Sequence, residues 1–288
     1  SSADKTLAVW NVFDNKEHPC RFVFEGAHRK GVTSLDWSDD GQHLFTASAD
    51  KRSIVWNSET GKSTHTFCGH TKIVNACCIS RVQDVFSASR TLFATASDDG
   101  SARVWDPRAP SGFKSGGCVG IFRAQNGTLR IPMTGVTFNQ DASKLIMCSL
   151  DKDILIGDMR KHDRPFEVLK GHQDSLSSIA LSPKGGSFLL SNSTDQTLRV
   201  WDLRSFVVDS DKRCRGVIPG VQHNRQEGLL LQCSWSADGT MVSSGNSDQH
   251  VNIWDVHNQK LLFRLPGHKG SVSDVQFSPD LKQPIIAS

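Results

Sequence analysis

Histidine, serine or threonine, and aspartate recur together along this chain. A hydrolase uses that combination to activate a nucleophile: a hydroxyl attacks, an imidazole takes its proton, and a carboxylate orients the imidazole. His28 with Asp50, His70 with Asp99, His172 with Asp195 and His223 with Asp248 form four such sets. Each aspartate is followed six residues later by a tryptophan: Trp56, Trp105, Trp201 and Trp254. Repetition argues against catalysis, because one enzyme needs one nucleophile and these sets are equivalent. Their use is structural. A buried indole N–H needs an acceptor, and a hydroxyl on the neighbouring strand can relay between it and an imidazole anchored by the aspartate. The candidate hydroxyls are Thr46 or Ser48, Thr95 or Ser97, and Ser191 or Ser193. No catalytic, cofactor-binding or metal-binding residue is assigned. His28, His70, His172 and His268 hold the same place one repeat apart, too far for shared metal coordination. Gly61-Lys62-Ser63 lacks the glycine that a phosphate-binding loop needs five residues earlier, where Trp56 stands.

The elements that must position these sets repeat with them. The aspartate-to-tryptophan spacing also occurs at Asp4/Trp10 and, with glycine for the indole, at Asp151/Gly157, so a unit returns every 44–53 residues. Four short runs recur in each unit between turn residues, the pattern of antiparallel strands in a small sheet. One run ends at His28, His70, Gln125, His172, His223 or His268. An apolar run follows, from Val32, Val74, Met133, Leu176, Leu230 or Val272, and reads as an inner strand buried on both faces. Turns such as Ser38–Gly41 and Ser236–Gly239 lead to a third strand that ends at the aspartate, and the fourth carries the tryptophan. Gln125 and Gly157 leave the fourth unit without its imidazole and indole, so that unit should lack the polar set and be the looser one. The chain opens and closes inside a unit, which amounts to six sheets' worth of strands in one domain, 1–288.

Composition narrows the function classes. A net charge of +3 does not by itself point to nucleic acid, and no apolar run is long enough to span a membrane. The eight cysteines form no CxxC pair and no compact framework, which points to reduced thiols in a cytosolic or nuclear setting. Surface is what remains for function. The loops after the first-named run and between the third and fourth strands carry Lys30, Arg52, Lys72, Arg130, Lys152 and Lys269, with Ile73, Pro132 and Leu229 nearby. A basic rim around apolar spots suits an acidic or extended protein segment. Insertions at 80–91, 106–117 and 203–214 lengthen the connections of the opposite face.

A period of this size, with aspartate or asparagine usually after the tryptophan, resembles the WD repeat, whose four strands make one blade of a β-propeller. Longer words narrow the resemblance: LLSNSTDQTLRVWDLRSF from Leu189, LLLQCSWSADGTMVSSGNSDQHVNIWD from Leu229, KLLFRLPGHKGSVSDVQFSPD from Lys260, GHTKIVNACC from Gly69 and SDDGSARVWDPR from Ser97. These are similar to the family of 40-kDa WD-repeat proteins of the spliceosomal U5 small nuclear ribonucleoprotein. The resemblance implies an all-β WD40 propeller, seven-bladed in that family, and a nuclear, non-enzymatic scaffold without cofactors. It also implies the large U5 scaffold protein, its helicase partner and other spliceosomal proteins as partners, little or no direct contact with nucleic acid, no membrane, and a monomer outside the complex. The alternative is a substrate receptor of a cullin-type ubiquitin ligase, because WDPR from Trp105 and WDLR from Trp201 resemble the WDxR signature of adaptor-binding propellers.

Overall fold

The computed structural model describes all residues except 1–3, 13–19, 25–27, 82–90, 110–116, 124, 127–128, 162–166, 184, 205–212, 225–226 and 283–284. The described residues are all β, with no helix, and their strands follow one another in sheets that keep chain order. A two-stranded pair, β1 (Leu7–Trp10) and β2 (Cys20–Phe24), comes first. Next are the sheets β3 (Val32–Trp37), β4 (His43–Ser48), β5 (Arg52–Asn57), β6 (Ser63–Cys68), and β7 (Val74–Ile79), β8 (Phe93–Ser97), β9 (Ser101–Trp105), β10 (Cys118–Arg123). A small hairpin, β11 (Gln125–Asn126) with β12 (Leu129–Arg130), precedes β13 (Met133–Phe138), β14 (Lys144–Ser149), β15 (Ile154–Asp158) and β16 (Glu167–Leu169). The sheets β17 (Leu176–Leu181), β18 (Phe188–Ser193), β19 (Thr197–Asp202), β20 (Cys214–Pro219), and β21 (Cys233–Trp235), β22 (Met241–Gly245), β23 (Val251–Asp255), β24 (Leu261–Leu265) follow. The last pair is β25 (Gln276–Phe277) with β26 (Ile286–Ala287).

The chain divides into two compact units, residues 1–145 with 158–164 and residues 146–157 with 165–288, the cut falling inside β14. In the first unit β3 neighbours β7, and β7 neighbours β13; in the second β17 neighbours β21, and β21 neighbours β25. Hydrophobic cores lie where successive sheets meet. Phe24 of β2 packs with Leu44, Ile54 and Trp56, and Phe67 of β6 with Phe93 and Trp105. Leu169 of β16 packs with Leu189 and Trp201, and Ile218 of β20 with Val242 and Trp254. Alternation along a strand explains this, since successive side chains face opposite neighbours and both faces of a middle strand are buried. Accordingly β4, β8 and β14 are buried along nearly their whole length.

Two inner strands depart from the expected burial on both faces. Leu35 and Trp37 of β3 are each 37% exposed, and Ser273 and Gln276 near β25 are exposed. Leu265, which holds the place of Phe24, Phe67, Leu169 and Ile218, is 37% exposed where those residues are 0–5% exposed. The residues of the three sequence insertions lie largely outside the described residues.

Candidate functional site: the histidine–aspartate sets

The turn between the third and fourth strands of a unit places the aspartate. In four of these turns Oδ1 accepts the backbone N–H two residues on: Arg52 to Asp50 (3.0 Å), Ser101 to Asp99 (3.0 Å), Thr197 to Asp195 (3.0 Å) and His250 to Asp248 (3.2 Å). The residue between them is left-handed: Lys51 (φ 73), Gly100 (φ 75), Gln196 (φ 68) and Gln249 (φ 72). Only glycine takes that conformation without strain, so the aspartate bridge offsets a local cost at the other three.

Oδ2 is then free to hold an imidazole. His28 Nδ1 lies 3.1 Å from Asp50 Oδ2, His70 Nδ1 2.9 Å from Asp99 and His172 Nδ1 2.9 Å from Asp195. The backbone N–H after each histidine, of Arg29, Thr71 and Gln173, donates to the same oxygen. On the other side of the ring, Nε2 meets Thr46 (2.9 Å), Thr95 (2.8 Å) or Ser191 (2.7 Å). Those hydroxyl oxygens accept the indole N–H of Trp56 (2.9 Å), Trp105 (2.9 Å) and Trp201 (2.8 Å). For His70 and His172 one direction satisfies every atom, indole to hydroxyl, hydroxyl to Nε2, and Nδ1–H to carboxylate, and it requires a neutral imidazole. Burial pushes His70 and His172 below their ordinary value, against the pull of Asp99 and Asp195. Burial would raise the aspartates, yet bonds from His70 and Ser101, and from His172 and Thr197, outweigh it and hold both carboxyls well below the usual range.

Of each pair of candidate hydroxyls, the structure puts Thr46, Thr95 and Ser191 in the relay. Ser48, Ser97 and Ser193 do other work: they donate to the loop carbonyls of Gly31 (2.9 Å), Ile73 (2.7 Å) and Ser175 (2.9 Å) and accept the N–H of Asp50, Asp99 and Asp195. The glycine before His70 or His172 is a close approach. A Cβ on Gly69 or Gly171 would lie 2.5 Å from Arg103 Nη1 or 2.7 Å from Arg199 Nη1, with the indole beyond.

The fourth set is not assembled, which corrects the reading of His223, Asp248 and Trp254 as equivalent to the others. His223 Nε2 meets Asn192 Oδ1 at 3.0 Å, and Asp248 Oδ2 accepts from Arg264 Nη2 at 2.7 Å. The reason is length. Two residues separate Gly220 from His223, and Val221, directly after the glycine, is wholly buried in the apolar core. Ser244, at the relay position, is engaged instead by Asn192 Nδ2, with the carbonyls of Gln232 and Gly245 as its acceptors. The unit with Gly157 differs again. Met147 stands four residues before Asp151, where Thr46, Thr95 and Ser191 precede their aspartates, and is wholly buried. Gln125 lies in the β11–β12 hairpin. Sequence reasoning missed this apolar substitution, although a methionine at the relay position was there to be read.

None of these sets offers a reaction site: His28, His70 and His172 are 3%, 7% and 3% exposed and their hydroxyl partners 0%. Of the rim residues, Lys30, Lys72, Ile73 and Arg130 are exposed in the first unit, where Arg52 and Pro132 are half-buried; Lys152, Leu229 and Lys269 are exposed in the second. In the two WDxR words each arginine turns back on its own repeat: Arg204 Nη2 lies 2.5 Å from Asp202 Oδ2, and Arg108 Nε 3.3 Å from Asp106 Oδ1.

The family model for the WD domain, G-beta repeat, matches residues 19–57, 61–106, 163–202, 219–255 and 259–288. The chain is 35% identical over 286 residues to the U5 small nuclear ribonucleoprotein 40 kDa protein of Dictyostelium discoideum, covering 99% of this chain and 73% of that one. Its identity to the Homo sapiens protein of the same name is 36% over 232 residues, 81% of this chain and 58% of that one. Pre-mRNA-splicing factor cwf17 of Schizosaccharomyces pombe is 34% identical over 286 residues, covering 99% and 76%. The chain thus spans little more than half the length of the human relative.

Proposed function

This chain belongs to the WD40 repeat family, and on that premise we propose that it is a non-enzymatic scaffold of the U5 small nuclear ribonucleoprotein, acting in the nucleus in pre-mRNA splicing. Support for the splicing assignment comes from the 35% identity over 286 residues to a protein that carries that name, with cwf17 alongside. The non-catalytic reading rests on one geometric observation. Among the described residues the triad-like constellations recur three times and are sealed, with hydroxyls at 0% exposure and both imidazole nitrogens committed. A nucleophile that donates to its histidine, accepts from an indole and cannot be reached by a substrate is a structural pin.

A scaffold needs surfaces that do not reorganise when partners arrive, because ordering loops on binding weakens affinity. The pins supply this by tying each loop backbone to a strand of the sheet beneath it. The partners are the large U5 scaffold protein, its helicase partner and other spliceosomal proteins, with little or no direct contact to nucleic acid. Immunoprecipitation of the tagged full-length protein from nuclear extract, probed for spliceosomal RNAs and proteins, tests this. U5 RNA and its large proteins are expected. Recovery of a cullin adaptor without U5 components would overturn the proposal.

A further inference from the structure

Six cations of the first unit gather at one end of its sheets. Register fixes that end: Val32 pairs with Ser48 and Arg52 with Cys68 in one sheet, and Val74 pairs with Ser97 and Arg123 with Ser101 in the next. The loops there carry Arg29, Lys30, Lys51, Arg52, Lys72 and Arg130. Three described carboxylates share the edge, and each is occupied. Asp50 and Asp99 hold His28 and His70, and Asp98 accepts from Asn75 Nδ2 at 2.7 Å. Among the described residues no ion pair engages any of the six cations. The carboxylates keep their charge, because their partners are neutral, so six cations against three carboxylates (6 − 3) leave this one edge as positive as the whole chain, whose net charge is +3, and raise the local potential there.

The backbone that bears these charges is pinned. Ser48 donates to the carbonyls of Lys30 (3.2 Å) and Gly31, Ser97 to that of Ile73, and Arg130 sits so close to the Gly100 turn that a Cβ there would be 2.7 Å from its own. The strands are stitched at the same end, Thr33 Oγ1 to Val74 O at 2.5 Å and Asn75 Nδ2 to Met133 O at 2.8 Å. Lys30, Lys72 and Arg130 therefore precede three laterally connected strands and form a fixed row. Ile73, 39% exposed, lies within it.

We infer that this row of Lys30, Lys72 and Arg130 around Ile73 docks an acidic segment of a partner protein, which deepens the scaffold reading and rests on it. A row of separate cations with an apolar centre complements an extended chain carrying several carboxylates and one aliphatic side chain. Single-stranded nucleic acid fits less well. Its sequence-tolerant binding uses exposed aromatic rings beside the basic groove, whereas Trp10 and Trp37, the exposed tryptophans among the described residues of this unit, sit at the far ends of their strands.

The test is fluorescence anisotropy on the purified full-length protein with three labelled probes: a Glu/Asp-rich peptide with one leucine, its Gln/Asn counterpart, and a poly-uridine oligonucleotide. The acidic peptide should bind at least about tenfold more tightly than its neutral counterpart and weaken steeply with salt. Lys30→Glu/Lys72→Glu/Arg130→Glu should abolish binding at unchanged melting temperature, Ile73→Ser should weaken it severalfold, and Lys282→Glu should leave it intact. Equal affinity for the two peptides, or retained binding in the triple variant, would overturn the inference. So would tighter binding of the oligonucleotide that the triple variant removes. Synthetic probes and purified protein keep this failure separate from that of the U5 assignment, which the immunoprecipitation decides on its own.

Discussion

The sheets β17–β20 and β21–β24 belong to one unit and share the same aspartate, the same tryptophan and the same spacing between them, yet only one carries the polar chain. In the first, Asp195 closes its turn with one oxygen and holds His172 with the other. In the second, Asp248 closes the same turn and gives its second oxygen to the exposed Arg264. The difference separates two jobs that the repeat merges. Turn closure belongs to the aspartate alone, while the pin needs a histidine close behind the preceding glycine, with no residue between them at His70 and His172, one at His28 and two at His223, where the pin is lost. The Gly157 unit shows a third solution, in which Met147 fills the relay position with apolar volume.

The largest effect expected from this comparison is the contrast between Asp195→Ala and Asp248→Ala. The first leaves the buried His172 without its acceptor, removes the bonds of Gln173 and Thr197 as well, and should cost about 3 kcal/mol, since an unsatisfied buried group costs about 1–3 kcal/mol. The second loses a turn bond and an exposed pair and should cost about 1 kcal/mol. Urea unfolding of both variants measures this, and similar losses would break the comparison.

Acid should reveal the pins next. Folded His70 and His172 sit below their ordinary value, so the unfolded chain binds more protons and stability falls as pH drops through about 6.5, the unfolded histidine value. Folded Asp99 and Asp195 are depressed too, so a further loss follows as pH falls below about 4. Melting temperatures of the parent and of His172→Gln from pH 8 to pH 3 would show a shallower upper decline in the variant. A steeper one would contradict the neutral imidazole.

Much of this was legible in the sequence. The aspartate-to-tryptophan period located the sheets, and His28, His70 and His172 were paired with the right aspartates. Spacing from aspartate to tryptophan is not sufficient to define a pin. The spacing that matters for His223 runs from Gly220, and its two extra residues move Val221 into the core. The turn role of the aspartates was invisible because Lys51 and Gln196 give no sign of a left-handed backbone, although Gly100 at the same position did. Choosing between Thr46 and Ser48 required knowing which faces the indole, and that follows only from register.

Smaller effects sharpen the same contrast. Amides of residues 146–157, whose turn has no histidine tied to it, should exchange faster than those of 189–201, and equal protection would show that Met147 packing replaces the pin fully. Gln196→Gly should gain no more than about 0.5 kcal/mol, relief of left-handed strain being partly cancelled by the entropy of glycine.

Asp195 and Trp201 should be coupled through His172 and Ser191, whereas Asp248 and Trp254 should not be coupled at all. A double-mutant cycle with Asp195→Ala and Trp201→Phe, run beside one with Asp248→Ala and Trp254→Phe, measures this directly. A coupling of about 1 kcal/mol or more is expected in the first cycle and less than about 0.3 kcal/mol in the second, the level of independent sites. Equal couplings in the two cycles would contradict this.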